Sequence, residues 1–590
     1  MTKKILVFVS ILLILASGLV FARGGQDTAA EAKKESASVR TWPATFRPSG
    51  TDAALYTANT EKYVREFQAW NARQKGSTQM LLGYDDPLTV RLGFFYTPSL
   101  QDAINMELSR KYGESFEANR WTDVIHRLYN IDIKYDYVIP EADYDQRLRL
   151  DMAANSLPDI FIIRNQADLV QMAQAGMLAD LTSLRSAYGS PTDEANWTSD
   201  GGILIGMSTI NNKLYGLPIP VPTTDFFSYL WLRKDWVDAL RITPPKTMDD
   251  LTRIIEAFVN ADFDKNGIRD TVGLTMQQDF YYSARGIFNG FSAYPEVWEV
   301  VNGVVSWGGI NPNNKRALAY LANLYSRGFI DREFVRYDYG DKLRAVIDGK
   351  AGVMYGGHWE VAAAGDLHNL DPNADWMAVP LPSADGSPVR SPLRSAHRGW
   401  VVANAKFSNP EVAFKLKGTT GFYLSDGNTE PAWWSVEGAG NAAGWLMMDM
   451  GGVSPMMNLN NYIQIKRALD TGDKSGVRGA ALSNYDALSL PGAEGWGWNL
   501  MFGGSNWVPF IQVKDAYDNN RLFYDAFTGI PSQYMQQRWQ AIRDQQAVTF
   551  TKIITGDLTV DAGFDEWLRA FNSMGGTQIT NEVNTWYRSR

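Results

Sequence analysis

A chain of 590 residues, with 45% hydrophobic and 21% charged side chains, is too long for one ordinary core and divides into two or more globular domains. Its net charge of −9 disfavours nucleic acid and anionic membrane surfaces as partners. Cysteine is absent, which excludes disulfides and any lipid attached through a cysteine.

The chain opens with Lys3 and Lys4, an apolar run from Ile5 to Ala16, and Val20-Phe21-Ala22, which fits a small-residue cleavage site. Residues 1–22 therefore read as a secretory signal peptide, with an apolar run too short to span a bilayer. The expected product is exported, soluble, unanchored and not inserted in a membrane. Arg23 to Arg40 is polar and reads as a disordered leader. Globular patterning is sparse until Pro87, so residues 23–87 are expected to be a leader and N-terminal extension.

Leu88–Tyr96 reads as a first strand, residues 101–130 as helical, and Ile131–Val138 as a second strand. Tyr144, Leu148 and Met152 share a helix face that Asn155 closes, and Asp159–Ile163 follows as a buried strand. This alternation predicts a parallel α/β sheet, whose ligands lie beyond the carboxyl ends of the strands. Arg164, Asn165 and Gln166 fall at such an end. Phe226–Leu232 reads as a strand leading into a helix at Lys234–Leu240. Thr247 to Asp250 forms a capping box ahead of a helix whose apolar face is Leu251, Ile254, Ile255 and Phe258. Near the end, Phe564, Trp567, Leu568 and Phe571 mark another amphipathic helix, stopped at Gly575-Gly576.

Asp262-Phe263-Asp264-Lys265-Asn266-Gly267-Ile268-Arg269-Asp270 has the spacing of a calcium loop. Asp262, Asp264, Asn266 and Asp270 would supply side-chain oxygens and Ile268 its carbonyl, while Gly267 permits the turn. The twelfth position is Gly273 rather than glutamate, so water or a distant carboxylate must complete the shell. The expected calcium is structural; the alternative is an Asx-rich turn without metal.

The 20 tryptophans and 27 tyrosines suit stacking on pyranose faces as well as core packing. Gly495 to Trp498 (GWGW) reads as a Gly-rich loop offering Trp496 and Trp498 to ligand. Arg398 and Trp400 begin a strand running toward the same cleft, with core packing as the alternative. The four histidines show no metal-ligand spacing. There is no nucleophile elbow and no phosphate-binding loop, so catalysis is not expected.

One ordered set of motifs runs through the chain: YDQRLRLDMAANSLPDIFI (144–162), AGMLADLT (175–182), KLYGLPIP (213–220), LWLRKDWVDALRITPPKTMDDL (230–251), VIDGKAGVMYGGHW (346–359) and WMAVPLPSADG (376–386), then the tail 551–587. The set resembles the extracellular solute-binding proteins (family 1) of ABC transporters. The resemblance is to the large carbohydrate-type group that includes maltose-binding, alginate-oligosaccharide-binding and LplA-like proteins. It implies two hinged α/β lobes with a ligand cleft between them. The implied spans are 88–225 for the first part of lobe 1, 226–375 for lobe 2, 376–450 for a return to lobe 1, and 451–590 completing the lobes. By the same resemblance Trp359 is a stacking tryptophan, Tyr281 a stacking tyrosine with Gln278 beside it, and Arg164 and Asn165 a polar turn at the cleft. The implied role is capture of an oligosaccharide for an ABC transporter permease by a periplasmic monomer, without chemistry. The alternatives are a secreted glycosidase or lyase, or a binder of peptide or lipid.

Overall fold

The computed structural model describes residues 40–589, apart from 74–77, 98–99, 102–103, 262, 264–266, 269, 423–424, 426, 430–447 and 449. The expected signal peptide and most of the leader lie outside the described residues.

Two sheets organise the fold. In chain order the strands are β1 (Leu88–Tyr96), β2 (Ile131–Pro140), β3 (Ile160–Ile163), β4 (Leu217–Pro220), β5 (Tyr229–Arg233), β6 (Val272–Thr275), β7 (Ala351–Gly356), β8 (Trp376–Val379), β9 (Ser391–Leu393), β10 (His397–Ala403) and β11 (Leu522–Tyr524). The first lobe holds a five-stranded sheet ordered β2-β1-β3-β10-β4; the second holds a four-stranded sheet ordered β8-β5-β7-β6. β1 runs parallel to β2 and β3, and β10 runs antiparallel to β3 and β4. In the second sheet β6 is parallel to β7, and β5 is antiparallel to both β7 and β8.

Each sheet is covered on both faces, which explains the short, wholly apolar strands. In β3, Ile160 and Ile162 enter one core while Phe161 and Ile163 enter another. In β5, Leu230 and Leu232 face one core, and Tyr229 and Trp231 face the other. The period of two along the strand thus distributes one segment over two cores.

Several local expectations hold. β1 has the predicted bounds, Asn155 caps its helix in the left-handed conformation at φ 55°, and Thr247 and Asp250 exchange capping-box bonds of 3.1 and 2.9 Å. Leu251, Ile254, Ile255 and Phe258 are all buried, as are Phe564, Trp567 and Phe571. The helix Val560–Ser573 ends before Gly575, which takes φ 104°, a value only glycine adopts without strain.

Other expectations are corrected. The extension 23–87 is not merely an appendage: the helix Ala53–Arg73 packs Tyr56, Tyr63, Val64, Phe67 and Trp70 into the first lobe's core. The spacing of Tyr56, Tyr63, Phe67 and Trp70 by seven, four and three carried the signal. The helical stretch 101–130 breaks at Gly113, φ 75°, and restarts at Arg120 behind a capping box on Asn119. The strand expected at 226–232 is Tyr229–Arg233, because Thr223–Phe226 forms a 3-10 turn behind Pro222. Trp376–Val379 stays in the second sheet rather than returning to the first. The C-terminal segment beyond residue 456 completes lobe 2 alone: the helices Met457–Thr471 and Pro509–Asp518 cover one sheet face, and Gln533–Thr555 and Val560–Ser573 the other.

Three segments cross between the sheets: 221–228, 380–396 and 451–456. They are bonded to one another. Val221 N–H donates to Ala396 O (3.1 Å), Val453 N–H to Pro220 O (2.9 Å), and Thr223 N–H to Pro455 O (2.8 Å). Ser395 Oγ donates to Asp200 Oδ2 at 2.9 Å, which ties the second crossing to lobe 1. No described helix is long and apolar enough to cross a membrane.

Phe67 is fully buried between Trp70 and Phe422. Phe67→Ala should lower unfolding free energy by about 3–5 kcal/mol through lost contacts and a residual cavity. Urea unfolding measures it; a loss under about 1 kcal/mol would place the N-terminal helix outside the core.

Candidate functional site

The strand register places the carboxyl ends of both parallel strand sets at the crossings. In lobe 1, β4 ends at Pro220 opposite His397, where the second crossing enters, and β10 pairs Trp400 with Ile163. Arg164 and Asn165 therefore leave β3 on the crossing side, beside Arg398. In lobe 2, Gly356 pairs with Tyr229, where the first crossing arrives, and β6 runs parallel to β7. Gln278 and the Gly357-His358-Trp359 turn leave on that same side. Ligands of open α/β sheets collect at such ends.

On the lobe 2 side the local sequence builds an aromatic surface. A Cβ on Gly356 would sit 2.0 Å from the Glu360 carboxylate, and one on Gly357 would sit 2.5 Å from the Trp359 ring. The two glycines therefore let the short helix His358–Ala364 fold back over the end of β7. Glu360 Oε1 accepts from Gly357 N–H at 3.0 Å, and Trp231 Nε1 donates to Gly357 O at 3.2 Å. Trp359 is 38% exposed and Tyr339 is 39% exposed, and Trp359 Nε1 donates to Tyr339 Oη at 3.3 Å. Tyr282 lies edge-on to Tyr339, ring centroids 6.1 Å apart.

A buried ion pair supports these rings. Lys342 and Glu360 have no side-chain exposure, and Lys342 Nζ donates to Glu360 Oε2 and, at 2.8 Å, to Tyr355 O. The ammonium sits 5.0 Å from the Tyr282 ring centroid and 6.0 Å from that of Tyr339, within cation–π reach. Burial pushes the Lys342 pKa down, and Glu360 opposes the fall. Burial and the nearby Glu360 charge push the Tyr282 pKa far up. Burial and the same carboxylate raise Tyr339 to about 12, so every phenol here stays a neutral donor.

The predicted residues separate into groups. Trp359 stands exposed at the crossing end, and Gln278 is exposed, with its backbone N–H donating to Tyr337 O at 2.8 Å. Tyr281 does not reach the surface. It is core, packed on Phe280, Phe288 and Phe550, and its hydroxyl accepts from Gln546 Nε2. It lines a small cavity of about 20 Å³, room for one water, with Arg285, Glu296 and Arg394. The aromatic that takes the outward place is the next one, Tyr282, rotated about 100° around the helix.

In lobe 1, Arg164 donates to Glu141 Oε1 (2.8 Å) and Glu141 O (3.2 Å) and lies over Phe95. Asn165 is exposed, and its Oδ1 accepts from Ala167 N–H at 2.7 Å, capping the helix Gln166–Gln174. Arg398 is exposed on β10. The GWGW run is not a loop: Gly492–Phe502 is a helix. Its Trp496 stacks on His368 at 4.2 Å and donates to Asp375 Oδ1 at 3.3 Å, while Trp498 stacks on Phe502. Asp375 adjoins Trp376, which pairs with Arg233 at the end of the sheet remote from the crossings, so Trp496 belongs elsewhere.

Of the expected calcium ligands, Asp262, Asp264 and Asn266 lie outside the described residues. Gly267 has φ 73°, the turn the loop requires. Ile268 projects its side chain into solvent, and Phe263 stacks on Trp236 at 4.4 Å. Asp270 Oδ2 accepts from Lys350 Nζ at 2.7 Å, an ammonium that a cation would displace. No metal-holding group of three acidic or histidine side chains occurs among the described residues.

Sequence reasoning missed Tyr282, Tyr339, Lys342, Glu360 and the hinge carboxylate Asp225. Asp225 Oδ1 accepts from Asn458 Nδ2 at 2.7 Å, joining the first crossing to the helix after the third, and lies 3.7 Å from His358 Nδ1. Burial raises the Asp225 pKa to about 7 against the Asn458 bond, and lowers His358 to about 3, leaving that ring neutral.

Two hinged α/β lobes, each with its strand ends toward shared crossings, are the architecture of two-lobe solute-binding proteins. A family model described as bacterial extracellular solute-binding protein matches residues 119–428, more than half of the chain, and the protein belongs to that family. The polygalacturonan/rhamnogalacturonan-binding protein YtcQ of Bacillus subtilis is 26% identical over 234 residues, 39% of this chain and 45% of the relative. The fructooligosaccharide ABC transporter substrate-binding protein FusA of Streptococcus pneumoniae is 25% identical over 244 residues, 38% of this chain and 44% of the relative. The chain thus spans less than half the length of the curated relatives it matches. Among solved structures, a human-milk-oligosaccharide (HMO) binding protein from Bifidobacterium longum infantis superposes with a TM-score of 0.60 at 17% identity, covering 85% of this chain and 98% of that one. The alginate-binding protein AlgQ2 without calcium gives 0.54 at 15%, covering 87% and 100%. At these identities the likeness is one of fold.

Asp225 gives a pH-dependent signature. Its folded pKa is raised from 3.8 to about 7, so its contribution to stability is complete below pH 4 and lost as pH rises to about 7. The stability of the parent relative to Asp225→Asn should therefore fall by about 4 kcal/mol across that window. Urea titrations of both proteins at several pH values measure it; a constant difference would mean that Asp225 titrates normally.

Proposed function

We propose that this protein captures an oligosaccharide between its lobes and presents it to the permease of an ABC importer, doing no chemistry itself. The observation that carries the proposal is the exposed Trp359–Tyr339 pair, held rigid at the crossing end of lobe 2 over the buried Lys342–Glu360 bond. Flat apolar rings match the C–H faces of pyranoses, and Gln278, Arg164 and Arg398 would offer polar groups suited to hydroxyls. The carbohydrates named for YtcQ and FusA support a saccharide ligand. Closure about the three crossings would report occupancy to the permease. Export to the periplasm fits the basic and apolar residues that open the chain. The loop 262–270 would hold a structural calcium, with Asp262, Asp264, Asn266 and Asp270 as carboxylate and amide ligands and the Ile268 carbonyl.

A thermal-shift screen of oligosaccharides identifies the ligand, because binding to the folded state raises the melting temperature. Trp359→Ala should then weaken binding by about 30-fold, equivalent to roughly 2 kcal/mol, with Trp359→Phe recovering part of the loss. Unchanged affinity in Trp359→Ala would place the ligand elsewhere.

Chelation should lower the melting temperature of the parent and leave that of Asp264→Ala unchanged. Equal sensitivity, or none in either protein, would make the loop an Asx-rich turn.

A further inference from the structure

Trp496 borders a separate cavity of about 370 Å³ at the end of the lobe 2 sheet remote from the crossings. That volume lies in the range of small-molecule sites. Its wall contains Trp507, a half-buried indole with no ring contact among the described residues and no hydrogen bond on its N–H. Part of the Trp507 ring packs against the large core of lobe 2, and the part that lines the cavity meets no other ring, whereas most tryptophans among the described residues do.

Asp375 lies across the same cavity. Its Oδ1 accepts from Trp376 N–H at 2.9 Å and from Trp496 Nε1 at 3.3 Å, which fixes the carboxylate, while Oδ2 takes no hydrogen bond among the described residues. Trp496 is itself held by His368, parallel at 4.2 Å. Asn373 is exposed at the rim and Lys234 is partly so, the latter paired with Asp238. The arrangement combines one apolar flat face, one free indole donor and one immobilised carboxylate acceptor. A saturated ring with an apolar face and equatorial hydroxyls fits it: the ring packs on Trp507, and adjacent hydroxyls donate to Asp375 Oδ2. A planar aromatic ligand without hydroxyls would leave the carboxylate unpaired on desolvation, at a cost in affinity.

We propose that this cavity is a second carbohydrate site, independent of the cleft, that takes a single pyranose residue by stacking on Trp507 and bonding to Asp375. The site has a structural connection to the cleft. Gly365 and Gly497 bring the GWGW helix against the short helix that carries Trp359, with Ala493 and Ala362 as the opposing residues. The ligand class is argued from the cavity's own groups, so the inference survives failure of the cleft reading.

The test uses the full chain labelled with fluorotryptophan and titrated with methyl α-D-glucopyranoside and, separately, with galacturonic acid. The resonance of Trp507, assigned by its disappearance in Trp507→Phe, should move saturably at about millimolar sugar in the parent and equally in Trp359→Ala. Asp375→Asn keeps the Oδ1 acceptor and the fold but should weaken that response by about 10-fold. A Trp507 resonance that stays fixed to roughly 100 mM of both sugars overturns the proposal. So does a shift that vanishes in Trp359→Ala, because it would then report the cleft. Tight oligosaccharide binding that survives Trp359→Ala counts against the cleft reading alone.

Discussion

The hydrogen bonds among the three crossings are the constraint on which the functional geometry depends. Val221 to Ala396, Val453 to Pro220 and Thr223 to Pro455 join segments far apart in sequence into one ribbon between the lobes. Pairing of β4 with β10 and of β5 with β7 and β8 then obliges both sheets to present the ends of their parallel strands to that ribbon. Three bonded strands allow rotation about the ribbon while resisting its separation, which is the motion a closing pair of lobes requires.

Charge placement around the ribbon follows the same economy. Glu296 is half-buried, which alone would raise its pKa, yet Arg285 and Arg394 outweigh that and hold it below the usual carboxylate range. Arg394 comes from a crossing and Arg285 from lobe 2, and Arg285 also donates to Phe226 O on another crossing. Asp225 pairs with no such cation among the described residues: it is held by an amide and faces a neutral imidazole. One carboxylate anchors the ribbon as an ion, while the other is poised to change charge near neutrality.

The aromatic surface on lobe 2 illustrates how a small local choice propagates. Two glycines admit the fold-back of Glu360 and Trp359; Glu360 then neutralises Lys342; Lys342 in turn sits under the faces of Tyr282 and Tyr339. A buried pair of this kind costs desolvation, and here the remaining capacity is met by Tyr355 O and Gly357 N–H. The result is a set of exposed rings with little freedom to lose, which reduces the entropic cost of ordering a ligand against them.

Much of the fold was legible in the sequence because it rests on local periodicity. The apolar run of β1, the left-handed stop at Asn155, the capping box at Thr247 and the buried face of the Phe564 helix each depend on neighbours within a few residues. So did the motif order that points to the family, and the position of Trp359 after a strand end. What periodicity could not decide was which ring of an adjacent pair meets solvent. Tyr281 and Tyr282 are neighbours in sequence, and distant residues such as Gln546, 265 positions away, and Phe550 make the first core. Nor could glycine content separate a loop from a helix at 492–502, where packing against the short helix carrying Trp359 stabilises what propensity disfavours. The sequence determined the elements and the family; tertiary contact alone decided which side chains share the site, because exposure is set by residues brought together from distant parts of the chain.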